Sequence, residues 1–255
     1  MKVDPVCPLA HPPGPATDRC EAREVISSPM IGIYGGTFNP IHIAHLRAAE
    51  EVRARLGLEK MLFVPNARPP HKAEQREGIA PADLRLAWTR LAVKDHPFFE
   101  VDAIEINRPG ESYLVDTLQA LKEQYRDQRL IFVVGQDAFA EMGSWRAPKE
   151  IFGLVDIAVT TRPPVLEAAL QAWFPDCVRE DFEIDDSQQK ARHRTRETEV
   201  KLVAVTPIDI SSSEIRQAIR SGDSIEGWVP GAIQKPILES GFYQKGSCET
   251  PHPTQ

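Results

Sequence analysis

Short apolar runs alternate along the chain with longer stretches in which apolar residues recur at helical spacing. Met30–Tyr34 is a short apolar run bounded by glycine, the pattern of a buried strand. Ile43–Leu56 carries apolar or small residues at helical spacing with Glu and Arg on the other face, and Gly57 supplies the stop. Lys60–Pro65 reads as the second strand. Pro81–Lys94 opens on a proline and sets Leu84, Trp88 and Leu91 on one side of a helix. Phe99–Ile106 reads as extended, Tyr113–Tyr125 as helical, and Leu130–Val134 as a strand ending at Gly135. Asp156–Thr160 and Lys201–Val205 are further strands; Pro164–Trp173, Ser212–Arg220 and Pro230–Ser240 are further helices.

Strand–helix alternation of this kind predicts an α/β fold, a doubly wound and mostly parallel sheet with helices on both faces. Residues 176–200 are charged, break the apolar pattern and read as a surface insertion. Residues 1–29 contain Pro5, Pro8, Pro12, Pro13, Pro15 and Pro29 with little periodicity, which predicts a flexible proline-rich extension. Residues 246–255 read as a flexible tail, leaving 30–245 as a single domain. No internal repeat interrupts it.

Composition narrows the function. At 255 residues and 42% hydrophobic content, the chain has enough apolar mass for a large core. A net charge of -7 argues against a nucleic-acid binder, which would show a basic face. No run approaches the roughly 18 apolar residues of a membrane span. Cys7, Cys20, Cys177 and Cys248 form no CxxC pair, and the N-terminus has no secretory pattern, so reduced thiols and a cytoplasmic location are expected. Arg192-His193-Arg194-Thr195-Arg196 reads as a solvated face.

In an open parallel sheet ligands sit beyond the carboxyl ends of the strands, so the turns after strands carry the candidates. The first is Gly35-Gly36-Thr37-Phe38-Asn39-Pro40-Ile41-His42-Ile43-Ala44-His45. Two glycines let backbone approach a phosphate, and a helix N-terminus offers free amides and partial positive charge. His42 and His45 share one face of the first helical turn, where imidazoles can donate to non-bridging phosphate oxygens. Two such histidines could also pack in a core or bind metal, although no third ligand lies nearby in sequence. Val64-Pro65-Asn66-Ala67-Arg68-Pro69-Pro70-His71-Lys72 follows the second strand, a proline-stiffened loop whose Lys72 is a point charge suited to phosphate or an ordinary solvated lysine. Ile210-Ser211-Ser212-Ser213-Glu214-Ile215-Arg216 follows the last strand. It reads as a capping box, compatible with phosphate binding by its hydroxyls and by Arg216.

Together these segments resemble the HxGH nucleotidylyltransferase superfamily, and the GGTF version resembles bacterial nicotinate mononucleotide adenylyltransferase. The VPN…PPHK and ISSTxIR motifs correspond to the loops just named. Gly135-Gln136-Asp137 is similar to the family's GxD element near the ATP ribose; taken alone, Asp137 would read as a helix cap. Trp145, in Gly143-Ser144-Trp145-Arg146, matches the tryptophan that stacks on the pyridine ring, or else an ordinary packed indole. Ser112-Tyr113-Leu114-Val115-Asp116-Thr117 matches Ser-Tyr-Thr-x-x-Thr, and Arg162 resembles a family arginine at another strand end. There are departures: Ala44 stands for the HxGH glycine, Leu114 for a threonine, and Ser213 for a threonine.

The resemblance implies a Rossmann-like nucleotidylyltransferase fold and transfer of AMP from ATP to nicotinate mononucleotide, giving deamido-NAD and pyrophosphate. It implies His42, His45, Lys72 and Arg216 as catalytic cations. Gly35, Gly36, Thr37, Phe38, Asn39, Gly135, Asp137, Ile210, Ser211 and Ser212 would bind ATP. Tyr113, Leu114, Trp145, Arg146 and Arg162 would bind the acceptor. Mg²⁺ is expected to arrive with ATP rather than in a protein metal site. The partners are then ATP and the mononucleotide, with no nucleic acid and no membrane, and a homo-oligomer is allowed. An enzyme using nicotinamide mononucleotide, FMN or phosphopantetheine, and a non-catalytic nucleotide binder, are the alternatives.

Overall fold

Apolar residues fill most interior positions of the central strands because both faces of the sheet are covered. The structure, a computed structural model, describes residues 29–68, 78–161 and 170–244. The first half comprises β1 (Met30–Gly36), α1 (Ile43–Leu56), β2 (Lys60–Pro65), α2 (Ala82–Val93), β3 (Phe99–Val101), α3 (Ile104–Asn107) and α4 (Leu114–Gln124). Then come β4 (Arg129–Gly135), α5 (Gln136–Glu141), α6 (Pro148–Leu154), β5 (Asp156–Thr161), α7 (Leu170–Trp173) and α8 (Asp176–Arg179). The last elements are β6 (Phe182–Ile184), β7 (Lys190–His193), β8 (Glu199–Ala204), α9 (Ser212–Ser221) and α10 (Gly231–Glu239).

The strand order is β3-β2-β1-β4-β5-β8-β7-β6. All pairs from β3 to β8 are parallel, whereas β6–β7 and β7–β8 are antiparallel. Successive residues on the central strands bury on opposite faces. Met61, Phe63, Ile131 and Val133 join Val52 of α1, Trp88 of α2, Ile215 of α9 and Ile233 of α10. Their neighbours Leu62, Val64, Leu130, Phe132 and Val134 join Leu118 of α4 and Ile151 and Phe152 of α6. This is the doubly wound α/β arrangement expected from the alternation. Gly57, at φ 65°, ends α1 as predicted. No described helix is long and apolar enough to cross a membrane.

Two stretches differ from the sequence reading. Phe99–Ile106 is not extended throughout: the strand stops at Val101 and α3 begins at Ile104. Asp102 explains the switch, since its Oδ1 accepts the Ile104 amide at 2.9 Å and starts the turn. Residues 176–200 are not a mere surface insertion. They contain α8 and add β6 and β7 to the main sheet, burying Val178, Phe182 and Ala191. Strands this short, with Glu183 and Arg192 facing outward, leave too few apolar positions to show a period of two. The arginine-rich run begins on β7 and continues past it; Arg192 is exposed and pairs with Glu199. The expectations for the amino-terminal extension before Pro29, the tail 246–255 and the first half of Pro164–Trp173 lie outside the described residues.

Glu199 holds this antiparallel edge to the sheet, bonding Lys190 and Lys201 at 3.0 Å each. Burial alone would raise its pKa, yet the two lysine hydrogen bonds outweigh it and hold the carboxyl at about 2. A depressed carboxylate adds stability that is present above its unfolded pKa and lost as pH falls through the folded value. Glu199→Gln is therefore expected to lower stability by about 1–2 kcal/mol near pH 7, with the difference from wild type shrinking as pH falls below the unfolded value of 4.5 and gone only once pH passes below about 2. Urea midpoints of the two proteins at both pH values check this, and a difference that persists in acid would contradict it.

Candidate active site

The carboxyl ends of β1 and β4 sit side by side, with β2 beyond one and β5 beyond the other. Chain order reverses direction here, which opens a crevice between the loops that leave the two strands. Gly35 and Gly36 end β1, and Gly135 ends β4. Gly36 is glycine for lack of space, since a Cβ would stand 2.9 Å from the Phe38 ring. A larger cavity of about 920 Å³ lies at the opposite, amino ends of these strands. There Arg129 grips the buried Asp156 through two nitrogens, a pairing that ties β4 to β5.

At the crevice, a cavity of about 550 Å³ is lined by His42, Ala44, His45, Asp137, Ser211 and Ser212, among others. The two imidazoles and the serine-rich turn, 166 or more residues apart in sequence, thus share one space. His42 is the N-cap of α1, and its amide donates to His45 Nδ1 at 3.3 Å. Acceptance at Nδ1 puts the His45 proton on Nε2, a donor on a ring that lines the cavity. The rings stack with centroids 3.7 Å apart. The Phe38 ring meets His45 edge-on at 5.3 Å, and Tyr34 does so at 6.1 Å. Phe38 holds the left-handed region, φ 47°, with its ring in the core, so its side chain supports His45 from behind.

The serine turn is locked to the first turn. Ser211 caps α9: its hydroxyl accepts the Glu214 amide at 3.2 Å, and its own amide donates to Glu214 Oε2 at 2.8 Å. The Ser212 hydroxyl donates to the Pro40 carbonyl at 2.9 Å. Arg216 donates to the Asn39 carbonyl at 2.9 Å and to Ser213 Oγ at 3.1 Å, a bond that serine keeps in place of threonine. Burial lowers the Arg216 pKa from its ordinary high value, an effect that leaves an arginine charged. Gly135 is the N-cap of α5 and makes no side-chain cap; Asp137 sits exposed in the first turn and lines the same cavity. Ile210 lines it as well.

A second cavity, about 330 Å³, lies on the other side of these loops. Gly35, Gly36 and Thr37 line it, with Tyr113, Leu114, Phe132, Trp145 and Arg146. The end of β1 and helix α5 form the wall between the two spaces: Tyr34 and Asp137 face one, Gly35 and Ala138 the other. Trp145 is half-buried, edge-on to Phe132 at 6.5 Å, and the Arg146 guanidinium lies 4.5 Å from the Tyr113 ring centroid. Tyr113 is the N-cap of α4 and makes no side-chain cap, so the first amides of the helix, starting at Leu114, stand beside the cavity. Leu114 lacks a hydroxyl, but its amide belongs to this amino end.

Some predicted residues act indirectly. The Asn39 side chain is buried and faces neither cavity. Its Oδ1 accepts the Ala80 amide at 2.9 Å and the Tyr243 hydroxyl, and its Nδ2 donates to the Gly78 carbonyl at 2.9 Å. Beside it lies Arg85, which the sequence reading missed. It is 1% exposed and donates to three carbonyls: Ala80 at 2.8 Å, Thr37 at 2.6 Å and Ala67 at 3.2 Å. A charged residue one position after Leu84 and three before Trp88, at the edge of an apolar helix face, was the available signal. Lys72 and Arg162 lie outside the described residues. Around the paired imidazoles, the donors are amides, hydroxyls and ring nitrogens. Among the described residues no cluster of three or more His, Cys, Asp or Glu side chains could hold a metal ion.

The chain matches the cytidylyltransferase-like family over residues 33–218. It is 43% identical over 212 residues to a probable nicotinate-nucleotide adenylyltransferase of Geobacter sulfurreducens, covering 83% of this chain and 97% of that protein. It is 42% identical over 213 residues to a protein of the same description from Geotalea uraniireducens, covering 84% and 97%. Its fold is similar to that of Plasmodium falciparum nicotinic acid mononucleotide adenylyltransferase, solved in complex with NaAD, at a TM-score of 0.62 and 17% identity. That match covers 84% of this chain and 97% of the other.

Proposed function

The chain belongs to the cytidylyltransferase-like family and, within it, to the nicotinate-nucleotide adenylyltransferases, and from that membership and the geometry of the crevice we propose how it transfers AMP from ATP to nicotinate mononucleotide. The carrying observation is the pair of adjoining cavities at one switch point, one lined by imidazoles and serine hydroxyls, the other by an indole and a helix amino end. The first suits a triphosphate, the second a flat aromatic acid.

A phosphate oxygen of the mononucleotide attacks the α-phosphorus of ATP. The bond from that phosphorus to the bridging oxygen of the β-phosphate breaks, and pyrophosphate leaves with the electron pair. The dinucleotide is nicotinate adenine dinucleotide. No protein nucleophile is needed; positioning and charge stabilisation do the work. His45 Nε2–H, His42 and the amides at the start of α1 and α9 would meet phosphate oxygens as negative charge shifts onto the leaving group. Arg216, which lines neither cavity, fixes the α9 turn against the Asn39 carbonyl, and its positive charge is proposed to act on the triphosphate from behind that turn. Lys72 is proposed as a further phosphate contact. Mg²⁺ is proposed to enter as part of the ATP substrate, ligated by phosphate oxygens. Asp137, in the first turn after β4, is placed to accept from ribose hydroxyls. In the second cavity, Trp145 would stack on the pyridine ring, and the amino end of α4 with Arg146 would meet the carboxylate.

The test is pyrophosphate release with ATP and a panel of acceptors: nicotinate mononucleotide, nicotinamide mononucleotide and phosphopantetheine. Nicotinate mononucleotide is expected to give the highest kcat/KM. A preference for the amide would overturn the substrate and keep the chemistry; nucleotide binding with no pyrophosphate from any acceptor would overturn both.

A further inference from the structure

Glu105 is a carboxyl group in an unusual place. It is 6% exposed, lies on α3 and lines the aromatic cavity with Tyr113, Trp145 and Arg146. Its two oxygens differ. Oε1 accepts the Thr117 hydroxyl at 2.8 Å, and the same Thr117 oxygen accepts from Arg108 Nη2 at 2.8 Å. Oε2 is buried and has no hydrogen-bond partner among the described residues. A buried oxygen of this kind demands a partner, and an ionised one demands it far more strongly. Because Oε1 is the acceptor for Thr117, a proton on this carboxyl sits on Oε2, the oxygen left without a protein partner.

We propose that Glu105 works as a neutral carboxylic acid whose Oε2–H donates into the aromatic cavity, and that this proton makes the site prefer a pyridine carboxylate over a pyridine carboxamide. This rests on the assignment of the cavity to the pyridine mononucleotide. A carboxylate ligand is an acceptor only, so it pairs with a protonated Glu105 and is repelled by an ionised one in the same small space. A carboxamide brings its own N–H donors and tolerates the ionised form. Burial is the main influence on Glu105 and raises its pKa, opposed by the Thr117 hydrogen bond, by the nearby Ser112 hydroxyl and by the positive charges of Arg108 and Arg85. The Ser112 hydroxyl that faces it already accepts the amides of Ala67 and Arg68. Glu141 of α5 and Arg146 line the same cavity from the far side. An incoming carboxylate adds a negative charge and so strengthens the protonated form. A carboxylic acid kept neutral to act as a donor is established chemistry elsewhere.

The measurement is the ratio of kcat/KM for nicotinate mononucleotide to that for nicotinamide mononucleotide, between about pH 6 and pH 9. Titration of ATP, of the mononucleotide phosphate and of the histidines affects both substrates and cancels in the ratio. The nicotinate carboxyl itself stays ionised throughout. The wild-type ratio is expected to fall roughly tenfold as Glu105 ionises. Glu105→Gln keeps a donor and cannot ionise, so its ratio should favour the acid and stay level with pH. A level wild-type ratio, or a Gln variant that keeps the wild-type slope, overturns the proposal. The wild-type profile decides alone if the variant does not fold. Failure of both mononucleotides to release pyrophosphate at any pH would instead remove the reading of the cavity itself, and the inference with it.

Discussion

His45→Ala is expected to slow pyrophosphate release about 100–1000-fold while the protein stays folded. The ring is half-buried, lines the cavity shared with the serine turn and is aimed by the His42 amide, the His42 ring and the rings of Phe38 and Tyr34. A donor fixed in this way needs no reorganisation as charge develops, which is why its removal should fall on kcat more than on KM for ATP. Loss of the acceptor for the His42 amide should cost about 0.5–1 kcal/mol of stability, an effect visible as a small drop in Tm. Near-normal turnover in this variant would take the histidine out of the mechanism. The reading of the first cavity as a triphosphate site would then rest on the serine turn alone.

Arg85→Met should be the most destabilising single change at the site, by about 3–5 kcal/mol. The side chain joins three segments that sequence keeps apart: the turn after β1 through Thr37, the start of the loop after β2 through Ala67, and the start of α2 through Ala80. Methionine fills the volume but leaves three carbonyls with a lost partner. Burial lowers the pKa of Arg85, and no carboxylate pairs with it among the described residues at ion-pair distance; its stabilisation comes from fixed carbonyl dipoles. Arg85→Lys keeps the charge but has no planar fork, so it should recover only part of the loss. Denaturant midpoints of the three proteins check this. A methionine variant within about 1 kcal/mol of wild type would show that the loops are held chiefly by Asn39 and Tyr243.

The pH dependence expected of Glu199 and that expected of Glu105 have opposite physical origins. Glu199 has lysine partners that overcome burial, whereas burial governs Glu105. One should act on stability in acid, the other on substrate preference as Glu105 ionises.

The chain's local pattern determined the parallel core, the boundaries of α1 and β2, and the turns where ligand groups gather. It could do so because central strands and amphipathic helices leave periodic signals, and because Gly-Gly before a helix start and a Ser-x-x-Glu box are themselves local chemistry. Three things were decided only in three dimensions. The antiparallel edge formed by β6 and β7 depends on partners across the sheet, since its strands are too short to show a period. Asn39, placed in the phosphate turn by sequence, proves to bind that turn to Gly78, Ala80 and Tyr243. Arg85 and Glu105, unremarkable as letters, take on meaning from burial: a charge or a carboxyl withdrawn from water must find partners, and only the packed chain fixes which partners are in reach.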